Sequence, residues 1–175
     1  GFRVSLLVAA AVTALSLLVG VMLGMIGGYL GGSTDRVVRS STDFIWGFPL
    51  ILVAVLLVGG LGEGLFPVIL AVGIVNVAAI TRVVRGEVVG LKEKEFVEAA
   101  RAAGVSSYRI MWRHLLPNVL APALIMASYL IAVAVIAEAA LSFIGLGAQP
   151  PLPSLGKMIA DGRGFLRINH WEATI

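Results

Sequence analysis

The residues able to do chemistry are concentrated between Arg82 and Pro117, RVVRGEVVGLKEKEFVEAARAAGVSSYRIMWRHLLP. Arg82, Arg85, Lys92, Lys94, Arg101, Arg109 and Arg113 stand there against Glu87, Glu93, Glu95 and Glu98. Mixed charge of this kind, bounded on both sides by apolar runs, suits docking onto another surface and not bond making. Covalent chemistry finds little support elsewhere. Leu155-Gly156-Lys157 lacks the first Gly and the following Ser/Thr of a phosphate-cradling loop, with Pro151 and Met158 in those places. There is no cysteine, no paired-His zinc helix and no Gly-x-Ser-x-Gly elbow, and His114 and His170 stand far apart. No catalytic residue, cofactor site or metal site is expected, and the basic residues beside apolar runs do not point to nucleic acid.

Two polar residues interrupt the apolar runs and are candidates for a gate or pathway. Asn76 reads either as an interhelical hydrogen-bonding residue or as part of a substrate path. Glu138 is the lone carboxylate of a long apolar segment. Twenty residues of helix after Asn118 place it about 30 Å away, near the opposite interface, where it is a structural or gating partner or a substrate ligand. Gly20, Gly24, Gly28 and Gly32 recur every four residues, a small-residue ladder for close helix packing within this subunit or against a partner.

Composition indicates the kind of scaffold that carries these residues. The chain has 175 residues, of which 59% are hydrophobic and 13% charged, whereas a soluble domain is about half apolar and a quarter charged. An all-α, polytopic membrane bundle with about four spans is expected. Val4 to Leu30 is the first span, too long and too Gly-rich for a cleavable signal peptide. Residues 31–43 read as a short polar connection. Phe44 to Leu61 is the second span with Pro49 in its first turns, Gly59 to Gly64 a turn, Phe66 to Val84 the third span, and Asn118 to Phe143 the fourth. Gly145 to Pro153 is an exit loop, Ser154 caps a short helix to Gly162, and 166–175 is a polar-aromatic ending with Trp171.

Within the charged stretch, residues 93–103 are strong helix formers. Phe96, Ala99, Ala100 and Ala103 are expected to share one face, and Glu95 and Glu98 to sit where the helix dipole favours acids. Gly104 ends this helix in a left-handed conformation. Ser106 or Ser107 starts a second, with Ile110, Met111 and Leu115 apolar, and Pro117 opens the span that follows. Nine Lys/Arg fall in 31–43 and 82–113, against Lys157, Arg163, Arg167 and Arg3 elsewhere. The positive-inside rule makes 82–117 cytoplasmic and the 145–175 region extracytoplasmic.

The spacing Glu98-Ala99-Ala100, three residues, Gly104, then Leu116-Pro117 resembles the EAA loop of ABC-importer permeases. FVEAARAAG, RHLLPN and EAALSFIGLGAQPP are similar to the dipeptide/oligopeptide (peptide/nickel) branch, C-type subunit, as are RVSLLV and GGYLGGSTDRVVRSSTDFIWGFP. His114 stands where the wider family often has Ile. The resemblance covers nearly the whole chain. It implies a single type I permease domain over 1–175, a core fragment lacking a first and a last span. It also implies a role in ATP-driven import of di- or oligopeptides in a bacterial or archaeal cytoplasmic membrane. Glu98, Ala99, Ala100, Gly104, Leu116 and Pro117 would be the ATPase-coupling residues. The implied partners are a second permease subunit, two ATPase subunits that bind ATP and Mg, an extracytoplasmic substrate-binding protein and the lipid bilayer. A nickel importer of the same family and a non-transport membrane scaffold are the alternatives.

Overall fold

The computed structural model describes residues 2–147, 149 and 154–162. Its elements are α1 (Phe2–Leu30), α2 (Gly32–Trp46), α3 (Leu50–Leu61), α4 (Leu65–Leu91), α5 (Glu95–Ala102), α6 (Ser107–Ile110), a π-helical turn (Met111–Leu115), α7 (Leu116–Phe143) and α8 (Leu155–Gly162). No strand occurs among the described residues, so the fold is all-α as expected. Among the described residues, three helical stretches are long and apolar enough to cross a membrane, namely α1, α4 and the continuous run Ser107–Phe143, and α2 with α3 makes a fourth if the pair is one span.

The boundaries differ from the sequence reading in three places. Residues 32–46 are helical, not a connection. The expected second span from Phe44 breaks at Gly47-Phe48-Pro49, because Phe48 before proline is kept out of the helical region and Pro49 takes φ −59°, ψ 134°. What remains, α3, has 12 residues, about 18 Å of helix against a hydrocarbon layer of about 30 Å. The third span does not stop at Val84 but runs on to Leu91, so the charged stretch begins inside α4. Finally, α6 is not a separate second helix: it continues through the π turn into α7.

The chain divides into two units. Unit one takes residues 1–13, 48–73 and 131–175. Val8, Val12, Ala54, Val68, Val72 and Leu141 lie in its core. Ser154 accepts a hydrogen bond from the Lys157 N–H at 3.1 Å, capping α8 as its sequence predicts. Gly156 leaves no room for a side chain, since a Cβ there would meet the Ala139 carbonyl of α7. Just past the end of α7, Gly145 takes a positive φ of 88°. The expected tail, 166–175, and most of the 148–153 loop lie outside the described residues.

Unit two takes residues 14–47 and 74–130. Its core joins Met25 of α1, Ile80, Val84 and Val88 of α4, Val97 of α5, Ile110 of α6, and Leu115 and Val119 beyond it. The glycine ladder is what brings α1 against α4. A Cβ on Gly20 would stand 2.8 Å from Ile80 Cβ, on Gly24 2.8 Å from both the Thr81 carbonyl oxygen and Val84 Cβ, and on Gly28 2.8 Å from Val88 Cβ. These three glycines pack within the subunit. Gly32, expected in the same ladder, lies past the end of α1 at φ 54° with nothing near its Cβ position.

Candidate functional site

The site is built around α5 and the turn after it. Lys94 begins α5 in an extended conformation, and Glu95 and Glu98 occupy the first turn. Two backbone bonds close the other end: Gly104 N–H donates to the Arg101 carbonyl at 3.0 Å and Val105 N–H to the Ala100 carbonyl at 3.0 Å. This is a Schellman closure, with Gly104 left-handed at φ 75°. Val105 and Ala100 both pack on the unit-two core, supplying the apolar contact that accompanies such a closure.

Three of the four residues expected to share one face of α5 stay together, and Ala100 turns inward. Val97 is fully buried and Ala100 partly so, while Phe96, Ala99 and Ala103 are exposed together with Glu98. Val97 lies three residues before Ala100, so the two share a stripe, and packing into the core with Ile110 and Leu115 turns that stripe inward. The outer face therefore carries one large apolar residue, small alanines and a carboxylate, open to a partner.

Beyond the elbow, Ser106 holds the cap position of α6 without a side-chain cap bond. Leu116 N–H then bonds the Met111 carbonyl, five residues back. The wider turn precedes Pro117, which has no N–H to give the carbonyl four residues before it. Asn118 Nδ2 donates to the His114 carbonyl at 2.6 Å, and Pro117 itself is exposed. Ile110 and Leu115 are fully buried, so this end of the rod is anchored in the same core as Val97.

Several basic residues of the charged stretch hold neighbouring helices, a role their sequence did not reveal. The Arg85 guanidinium donates through Nε to Asp35 Oδ1 and through Nη2 to Asp35 Oδ2 at 2.6 Å. Arg82 pairs with Asp43 at 2.9 Å and lies over the Trp46 ring at 4.1 Å. Lys92 Nζ donates to the Gly28 carbonyl at 3.1 Å near the end of α1, and Arg101 stands over Tyr29 at 5.4 Å. The hydrogen bonds and charge of Arg85 hold the Asp35 carboxyl below its ordinary range, against the opposing effect of burial.

The two polar residues of the apolar runs fall in different units. In unit two, Asn76 is buried and its Nδ2 finds no acceptor among the described residues, so the expected interhelical bond is not made by that donor. In unit one, Glu138 is fully buried; Ser5 Oγ donates to its Oε2 at 2.6 Å and Ser142 Oγ to its Oε1 at 2.7 Å. No group of three or more His, Cys, Asp or Glu that could hold a metal occurs among the described residues.

Residues 20–167 match the family model described as "Binding-protein-dependent transport system inner membrane component". The chain is 41% identical over 171 residues to the dipeptide transport system permease protein DppC of Alkalihalophilus pseudofirmus, covering 98% of this chain and 56% of that protein. It is 36% identical over 172 residues to the oligopeptide transport system permease protein OppC of Bacillus subtilis, covering 98% and 56%. It is 36% identical over 168 residues to the glutathione transport system permease protein GsiD of Pectobacterium atrosepticum, covering 96% and 56%. The chain thus spans about half the length of these relatives. Among solved structures, the MetNI methionine ABC transporter in an inward-facing conformation superposes with a TM-score of 0.77 at 20% identity, over 99% of this chain and 83% of that one.

Proposed function

The chain belongs to the family of binding-protein-dependent transport system inner membrane components, and from that premise we propose that it serves as a transmembrane permease subunit of an ATP-driven importer of di- or oligopeptides. The named relatives are transport permeases, three of them for dipeptides, oligopeptides or glutathione. The proposed assembly contains a second permease subunit, two ATPase subunits that bind ATP and Mg, and an extracytoplasmic binding protein that delivers the peptide. Its proposed location is a bacterial or archaeal cytoplasmic membrane, crossed several times.

One observation carries the mechanism. α5 exposes Phe96, Glu98 and Ala99 on one face while Val97 on the other is locked into the core that also holds Ile110, Leu115 and Val119. The rod from Ser107 continues into a membrane-spanning helix. A force applied to the outer face of α5 is therefore delivered to α7 through packed side chains and not through a flexible linker. Glu98, Ala99, Ala100 and Gly104 would form and orient the docking element, and Leu116 and Pro117 would begin the span that moves. ATP-driven closure of the ATPase pair would then rock the spans between inward- and outward-open states.

Reconstitution tests this reading. The full-length permease, its partner permease, the ATPases and the binding protein are placed in proteoliposomes, and uptake of labelled dipeptide and of nickel is followed with ATP inside. ATP-dependent peptide uptake is expected. Nickel uptake alone would assign the family's other cargo, and ATPase binding without uptake of either would favour a scaffold.

A further inference from the structure

Unit two carries an apolar groove of about 280 Å³ between α1 and the rod leading into α7. Leu18, Met22 and Ile26 form one wall, and Trp112, Leu116 and Leu120 the other. Leu18, Met22, Trp112 and Leu120 are exposed. The groove runs from Trp112 to Leu124, twelve residues or about 18 Å of helix, close to the roughly 15 Å of hydrocarbon in one leaflet.

Its chemistry changes at one end. Trp112 sits at the end nearest α5, with Tyr108 6.0 Å away between ring centroids. Such rings favour the headgroup level of a bilayer. Arg109, three residues before Trp112 and so on the same side of the helix, is exposed and has no ion pair among the described residues. By the positive-inside rule this is the cytoplasmic end. The small residues of α1 that would let another helix approach, Gly20, Gly24 and Gly28, are all used against α4. The groove face offers Leu, Met and Trp instead.

We propose that this groove holds an acyl chain of an anionic phospholipid from the cytoplasmic leaflet, with Arg109 taking the phosphate and Tyr108 and Trp112 flanking the glycerol region. An acyl chain fills the apolar length, and the headgroup supplies the anion that Arg109 lacks. The lipid would sit beside α6, one turn from the elbow at Gly104.

The test uses the full-length permease in its assembly, in nanodiscs, with every other tryptophan of this subunit, Trp46 and Trp171 among them, replaced by Phe so that Trp112 is its fluorophore, and with tryptophan-free partner subunits. Phosphatidylglycerol and phosphatidylcholine brominated on the acyl chains are titrated as quenchers. Trp112 should be quenched by both, with a preference for phosphatidylglycerol of about fivefold. Arg109→Gln, an exposed substitution that leaves the core untouched, should bring that preference close to one. Absence of quenching by either lipid would mean that a protein segment covers the groove, and would overturn the proposal. Equal quenching by both lipids, unchanged in Arg109→Gln, would reduce the groove to ordinary bilayer contact and overturn it as well.

Discussion

Arg85 and Asp35 meet in a two-pronged contact that fastens α2 to α4, with Nε and Nη2 of the guanidinium each facing one carboxylate oxygen. Both side chains are about one-fifth exposed, 23% for Arg85 and 21% for Asp35. Fork-to-fork pairs of this kind are stronger than single contacts and fix relative orientation. The pair lies one turn from Arg82–Asp43 along α4, so α2 is held at two points.

This pair gives a pH prediction. The carboxyl of Asp35 is held below its ordinary range by Arg85. Its stabilising contribution is therefore complete above the unfolded value near pH ~4 and is lost as pH falls through the lower folded value. Thermal unfolding in detergent from pH 6 to pH 3 should show this acid loss in the wild type, and a smaller one in Asp35→Asn. At neutral pH Asp35→Asn should cost about 1.5–3 kcal/mol. Identical acid profiles for the two proteins would contradict the assignment.

The glycine ladder separates close contact from mere small size. A Cβ at Gly24 would stand 2.8 Å from the Thr81 carbonyl oxygen, which is backbone and cannot rotate away. Gly24→Ala should destabilise by about 1–3 kcal/mol, and Gly24→Leu should prevent a stable fold. Gly90→Ala on the exposed side of α4 meets nothing within 4 Å and should be neutral or stabilising by up to about 1 kcal/mol. Melting temperatures of the three variants check this, and equal effects at Gly24 and Gly90 would refute it.

At Gly104 the constraint is backbone conformation alone. Among the described residues, nothing beyond its chain neighbours lies within 4 Å of its Cβ position, yet φ is 75°. Gly104→Val should cost about 1–2 kcal/mol locally and turn α6 away from α5, whereas Gly104→Asn, which tolerates this conformation, should behave nearly as wild type. Membrane insertion should be normal in both. ATPase association and peptide uptake are the readouts, and normal uptake in Gly104→Val would remove the elbow from the mechanism. Glu98→Ala, at an exposed position, should have a smaller effect than Gly104→Val.

Glu138 should behave as an internal hydrogen-bond acceptor. Glu138→Leu takes the acceptor from the Ser5 hydroxyl and should cost about 1–3 kcal/mol for that group left unsatisfied. Glu138→Gln keeps one oxygen and should be milder. Ser5→Ala, which removes one of the two donors, should lose little further stability when combined with Glu138→Leu. Additive losses in that double variant, measured by thermal unfolding, would show that Ser5 and Glu138 act separately.

Features that depend on local chain physics are legible from the residues alone. Long apolar runs dictated an all-helical membrane protein, because only internally bonded backbone is stable in hydrocarbon. An alanine-rich helix followed by Gly104 dictated a left-handed closure, because only glycine enters that region without strain. The four-residue spacing of Gly20, Gly24 and Gly28 placed them on one face. Tertiary structure decided what those faces meet. Phe96 and Val97 are adjacent apolar residues about 100° apart around α5, and either can point inward until the core of Ile110 and Leu115 selects Val97. Residues 31–43 read as a connection because Asp35 and Asp43 look solvated until Arg85 and Arg82, carried by a helix that continues past Val84, come to neutralise them. Glu138 reads from sequence only as a structural or gating partner or a substrate ligand, because the donor that defines its acceptor role, Ser5, is 133 residues away in the chain. Spacing along one helix fixes a direction, but the partner in that direction comes from another helix, and its distance along the chain leaves no periodic signal.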